Sequence, residues 1–300
     1  MFTKEEATEF IEDTLEIKDP LKQFDVNRLV LLNNIIRAIQ NNIPFQNITL
    51  LCLQKNDRRA PTMEEIKRDG LSLVGGICSV NNVFVKCLLE TIGFNIDYVS
   101  ATVTHPDNHF LCIASNVMHQ GDKYMVEVGC GYPTFEAIPL DFEEESSIYK
   151  FSFMQFKLVR NHGIIERQHF RHSETHLRLG NDPVHKNLSG QWVRFYDFKV
   201  TPVEYCHFDS PMHQVYTVPG ASPFLLSLRL VVFNDERCSV VRDNLHLQEG
   251  DDNKLHVVER LESKETMIAC ISKICPQLPE LDIKCAVEMW ETEIKPTLEK

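Results

Sequence analysis

The stretch GGICSVNN, residues 75–82, sets two adjacent glycines just ahead of a cysteine and an apolar segment behind it. A thiol becomes a nucleophile when something stabilises its thiolate, and the unpaired N–H groups and dipole at the start of a helix do so. Cys78 stands at such a start, and Gly75 and Gly76 permit the sharp backbone turn before it. A small buried side chain at a helix start is the other reading. His109 is the best-placed base: it opens HFLCIASNV directly after the turn-forming THPDN. Glu127, in KYMVEVG, alternates with Tyr124, Val126 and Val128 and needs a partner, because an unpaired buried carboxylate is costly. A hairpin with its midpoint near Met118 makes His109 and Glu127 cross-strand neighbours. Gly129 and Gly131 allow a close backbone approach beside Glu127, as an anion or an acyl carbonyl requires, although a tight turn explains them equally well. His169, His172 and His176 have suggestive spacing but no cysteine or carboxylate scaffold, so no metal site is expected.

Three regions must position these groups. In the first, VNRLVLLNNIIRAIQNN carries Val26, Leu29, Val30, Ile35, Ile36 and Ile39 at helical spacing, with Asp25 as its cap. A short helix follows Thr62, with Glu65 completing a capping box, and a third runs from Cys78 to Gly93. From Phe94 to about Val200, short segments rich in β-branched and aromatic residues predict an antiparallel sheet or small barrel. SETHLRLGNDPVHKNLSG reads as a long loop or hairpin end. The last hundred residues are mixed: FLLSLRLVVF, CSVVRDNLHLQEG and KLHVVERL are strand-like, and SKETMIACISKI is helical.

The 300 residues can bury a sizeable core, and 43% apolar with 25% charged residues describes a folded globular protein. A net charge of −12 disfavours general binding to nucleic acid or anionic membrane, while leaving room for a local basic pocket. The N-terminal segment has no apolar signal and no run long enough to span a bilayer occurs, which predicts a cytoplasmic protein. Ten cysteines without a secreted framework or a repeated C-x-x-C are expected to be free thiols.

Taken together, IPFQN at 43–47, GGICSVNN with Asn82 four residues beyond the cysteine, LLETIGF, NHFLCI, YMVEVGCG and FDSPMHQVYTVPGASPF resemble the arylamine N-acetyltransferase family in order and spacing. The resemblance implies an α+β multidomain fold with a papain-like or transglutaminase-like catalytic core. It comprises a helical domain (1–93), an antiparallel β-barrel domain (94–204) and an α/β lid (205–300). It implies acetyl-CoA as a co-substrate without a tightly bound cofactor, and an arylamine, hydrazine or hydroxylamine acceptor, as in xenobiotic metabolism. It also implies a ping-pong route through acyl-Cys78 in a monomer, with His109 as base and Glu127 where the family usually has aspartate. The backbone N–H groups of Cys78 and Gly129 are candidate oxyanion donors, Gly129, Gly131 and Phe45 candidate cofactor contacts, and Phe45 or Phe135 either pocket lining or core. Three departures stand out. The extra methylene of Glu127 adds about 1.5 Å of reach, which the strand or the ring must absorb. Val74 and Gln46 replace the usual basic residue and glutamate, a linked loss that avoids an unpaired buried carboxylate. Ile77 replaces an aromatic. Two alternatives accompany the acyltransferase: a cysteine hydrolase or amide-forming enzyme on the same fold, and a non-catalytic binding homologue.

Overall fold

The computed structural model describes residues 1–171 and 191–298; His172, His176 and the expected loop at 173–190 lie outside the described residues. The N-terminal part is helical: α1 (Lys4–Glu9), α2 (Pro20–Val26), α3 (Arg28–Asn42), α4 (Ile48–Leu51), α5 (Met63–Leu71) and α6 (Cys78–Ile92). Leu31, Leu32, Ile35, Ile36 and Ile39 form the buried stripe of α3. Its cap differs from expectation. Asp25 belongs to α2, and Asn27, extended at the junction, accepts from the Val30 N–H at 3.1 Å. Val26 therefore precedes the helix and, like Val30, faces solvent. The Thr62–Glu65 capping box is formed, and α6 ends at Gly93 with φ +113°.

Eight antiparallel strands make the central sheet: β2 (Asn95–Thr102), β3 (His109–Ser115), β4 (Lys123–Val126), β5 (Ile138–Pro139), β6 (Tyr149–Phe151), β7 (Met154–Asn161), β8 (Ile164–Phe170) and β9 (Trp192–Val203). Their order is β5-β4-β3-β2-β9-β8-β7-β6, curled into a half-barrel. Register shifts between Val99 and Ala101 and between Arg167 and Gln168 add the local twist that bulges supply. Strands β2 and β3 pack against α6.

A second sheet joins the two ends of the chain. β1 (Phe45–Gln46) pairs with β10 (Arg229–Asn234), which continues through β11 (Arg237–Arg242), β12 (Leu245–Glu249) and β13 (Leu255–Arg260). The segment CSVVRDNLHLQEG, read as one strand-like unit, is broken into β11 and β12 at Asp243, whose φ is +52°. Helices α7 (Asp209–Thr217), α8 (Lys264–Ile274), α9 (Glu280–Met289) and α10 (Lys295–Leu298) complete the fold. Asn47 bridges the two ends: its Nδ2 donates to the carbonyls of Phe224 and Ser227, each at 2.7 Å, and its Oδ1 accepts from Arg229 N at 2.7 Å.

Candidate active site

Cys78 is the first residue of α6 and is 3% exposed. Gly75 creates the turn before it with φ +64°, and a Cβ there would lie 2.2 Å from the Pro44 carbonyl oxygen. The segment that forces this approach also pairs with the turn, since Gln46 N donates to Gly76 O at 3.1 Å. Ile77 occupies the N-cap and has no side-chain oxygen to offer the first turn. The helix start thus keeps its positive end beside the thiol.

Cys78 and Asn82 are one turn apart and share a face of α6. Asn82, wholly buried, donates Nδ2 to Phe110 O at 2.7 Å and to Glu127 Oε1 at 2.9 Å, and accepts from Val128 N at 3.1 Å. It locks the helix to β3 and to the segment after β4. Sequence reasoning matched this residue but gave it no task. The signal was its position four residues after the thiol.

His109 and Glu127 are both buried, with His109 Nε2 and Glu127 Oε2 2.6 Å apart. They are not direct cross-strand partners. The β3–β4 ladder pairs Cys112 with Val126 and Ser115 with Lys123, centring the hairpin at His119 rather than Met118. Continued by one residue, this register sets Leu111 across from Glu127 and leaves His109 diagonal to it. β4 also stops at Val126, so Glu127 lies just beyond the strand. A diagonal neighbour is within reach of a long side chain.

Glu127 Oε1 accepts from Asn82 and also from the Gly129 N–H at 2.9 Å. Burial alone would raise the Glu127 carboxyl; the His109 charge and hydrogen bond, then the Asn82 bond and the Arg167 charge, hold it below its ordinary value. Burial alone would lower the His109 imidazole. The Glu127 charge, the Cys78 hydrogen bond and the Glu127 hydrogen bond overcome it and push the imidazole up to about 10. With Nε2 committed to Glu127, Nδ1 is the ring nitrogen left for the thiol.

The Gly129 N–H, expected to serve an oxyanion, is donated to Glu127 Oε1. The absence of a side chain at Gly129 serves packing: a Cβ would lie 2.8 Å from Cys78 Cα and from Asn82 Nδ2. Gly131, at φ +74°, lets Phe45 approach, and the two line a small cleft of about 30 Å³ with Cys130, Val231, Val240, Arg229 and Arg242. Arg229 and Arg242 are cross-strand partners, and burial, then the Arg242 charge, brings the Arg229 guanidinium down to about 10. Phe135 is core: it is fully buried against Phe151 and Phe233.

Arg167 was missed. It is wholly buried and donates to Thr134 Oγ1 at 2.9 Å, Pro133 O at 3.3 Å and His169 Nε2 at 2.9 Å, securing the loop after Gly131. Alternation in IIERQHF places Arg167 and His169 on the inward face with Ile165, a signal available from spacing alone. His169 is thereby a core side chain.

Gln46 and Val74, the paired departures, meet in the structure. Gln46 is wholly buried; its Nε2 donates to Gly75 O at 3.1 Å and faces Val74 O at 3.4 Å, and its Oε1 accepts from Thr49 N at 3.1 Å. A carboxylate there would face two carbonyl oxygens. Ile77 is core.

The α+β fold thus brings a thiol at a helix start near a buried imidazole paired with a carboxylate. The sequence matches the N-acetyltransferase family model over residues 28–274, and the chain belongs to that family of enzymes, as an arylamine N-acetyltransferase-like acyltransferase. A search of curated proteins finds no match. Among solved structures, the fold is similar to an arylamine N-acetyltransferase of M. smegmatis, with a TM-score of 0.69, 19% identity and coverage of 87% of this chain and 91% of that one. It is also similar to the enzyme of Mycobacterium abscessus (TM-score 0.72, 15% identity, 93% and 96% covered). A third is the Mycobacterium marinum enzyme in complex with CoA (TM-score 0.70, 15% identity, 92% and 96% covered).

Proposed function

We propose that the protein transfers an acetyl group from acetyl-CoA to the nitrogen of a small arylamine, hydrazine or hydroxylamine through an acyl-Cys78 intermediate. The observation that carries this reading is the buried His109 imidazole, 2.6 Å from the Glu127 carboxylate and raised by its interaction with the Cys78 thiol at the start of α6. The M. marinum relative in complex with CoA supports the choice of donor. The division at 93/94 and 204/205 belongs to the same proposal, as does a monomer working in a reducing cytoplasm. Ten free thiols suit that compartment.

Cys78 passes its proton to His109, and the thiolate attacks the thioester carbonyl. The Cys78 N–H, at the first helical position and without an intrahelical acceptor, is the donor for the developing oxyanion in this reading. The carbon–sulfur bond to CoA breaks, and the leaving thiolate takes the proton from His109. The acceptor nitrogen then attacks acyl-Cys78, His109 removes the nitrogen proton, and the Cys78 thiolate departs to recover that proton. Glu127 stays ionised throughout and orients the ring. Burial of the thiol limits water, which favours transfer to an amine over hydrolysis.

The test is intact mass after brief exposure to acetyl-CoA without acceptor. A gain of about 42 Da on the parent and none on Cys78→Ala is the expected outcome. Release of CoA without an adduct would instead identify a hydrolase. Neither adduct nor release would remove acetyl-CoA as donor.

A further inference from the structure

Far along the chain from the thiol, the second sheet and α8 bring together three side chains that the acyltransfer chemistry does not use. His246 on β12, Glu259 on β13 and Cys270 on α8 place one ligand atom each within 4.8 Å of one another. We propose that they form a divalent-metal site of the zinc class, which ties the edge strand β13 to α8.

Four features of the fold support this. His246 and Glu259 are direct partners in the β12–β13 ladder, and the register shifts at the very next step, between His246 and Leu247. Such irregularities re-aim side chains. His246 is 9% exposed, and its Nε2 lies 3.1 Å from Ser239 Oγ. That contact orients the ring and leaves Nδ1 for a ligand, as outer partners of metal-bound histidines do. One nitrogen, one sulfur and one oxygen form a borderline donor set that suits Zn²⁺, with a fourth position left to water. Zinc bonds of about 2.0–2.3 Å hold ligand atoms closer than 4.8 Å, so closure needs movement on the order of 1 Å, available to the exposed Glu259.

Edge strand β13 has a use for such a tie. Of its six residues only Leu255 is buried, and Val257 and Val258 are exposed. Lys273 is the charged neighbour that opposes a cation, but it is exposed and its ammonium can stay in water. On binding, the Cys270 S–H bond breaks, its proton goes to solvent and the sulfur–metal bond forms.

The full chain, stripped with a chelator, is titrated with Co²⁺ as a spectroscopic stand-in and then with Zn²⁺, in a Cys206→Ser/Cys285→Ser background that removes the two exposed thiols. One equivalent of Co²⁺ with a thiolate-to-metal charge-transfer band, displaced by Zn²⁺, is expected. Cys270→Ser abolishes the band, and Ser239→Ala weakens affinity by about 10–100-fold. Zn²⁺ also raises the unfolding midpoint of the parent and not of His246→Gln, which covers the case in which Cys270→Ser fails to fold. Absence of the band, its survival in folded Cys270→Ser, or an equal Zn²⁺ effect on parent and His246→Gln would overturn the site. Acetylation of Cys78 in these variants is unaffected either way.

Discussion

Glu127 reaches His109 from a diagonal position, and the reach of its longer side chain is what makes the 2.6 Å contact available. Glu127→Asp retracts the carboxylate by about 1.5 Å, and acylation by acetyl-CoA is expected to slow by about 100-fold in single-turnover measurements. Glu127→Gln keeps the reach but loses the charge, and the expected loss is on the order of 10³–10⁴-fold. The buried imidazole also sets a pH dependence of stability. His109 rises from its ordinary value to about 10 on folding, so its contribution is full below the unfolded value of about 6.5 and is lost as pH climbs through about 10. Denaturant unfolding of the parent should show that decline across this window, and His109→Gln should flatten it. Cys78, His109 and Glu127 were legible only as a set, from residue type, spacing and the ordered motifs of the family resemblance. The tasks of Asn82 and Gly129 were not, because a carboxamide or a peptide N–H acquires its role only from the groups that the fold sets around it.

At the scale of elements, the short segment after α3 controls the turn that precedes α6. Pro44 O blocks any side chain at Gly75, and Gln46 occupies the carbonyls of Val74 and Gly75. Gly75→Ala combines a left-handed backbone with a clash against main chain, and should destabilise by about 2–4 kcal/mol in urea unfolding. Gln46→Glu puts an uncompensated carboxylate against two carbonyls and should cost about 3 kcal/mol, with a larger loss as pH rises through the carboxylate range. Local signals fared unevenly here. The Thr62–Glu65 box and the stop at Gly93 depend on residues a few positions apart, so the chain itself reports them. The start of α3 was misplaced at Asp25 because α2 abuts it, and the two helices read as one periodic stretch until Asn27 is seen extended.

At the scale of the whole molecule, β1 is a two-residue strand from the N-terminal part at the edge of a sheet otherwise built from the last third of the chain. Asn47 reinforces that junction with three side-chain hydrogen bonds to the backbone of residues 224–229. Asn47→Ala strands those buried groups and should cost about 3 kcal/mol. It should also separate the unfolding of the C-terminal sheet from the rest, seen in a Trp192→Phe background as non-coincident urea transitions by Trp290 fluorescence and far-ultraviolet circular dichroism; the same background with Asn47 intact should show one transition. The cleft beside Phe45 and Gly131 depends on the same junction, since Arg229, Val231, Val240 and Arg242 are brought there by β10 and β11.

By itself the sequence determined the element types of the helical and stranded regions and the ordered motifs that carry the family resemblance, with Cys78, His109 and Glu127 as candidate groups within them. These follow from side-chain period, turn chemistry and residue type, all of which act over short stretches. Only the tertiary structure decided that the hairpin is centred on His119, that the Gly129 N–H is donated to the carboxylate, that Arg167 is buried behind the site, and that Phe45 and Arg229 share one cleft. Each of these depends on strand register or on contacts between segments far apart in the chain. A shift of one residue in register exchanges the faces of a strand, and the balance of packing and hydrogen bonding that selects the register is summed over the whole core.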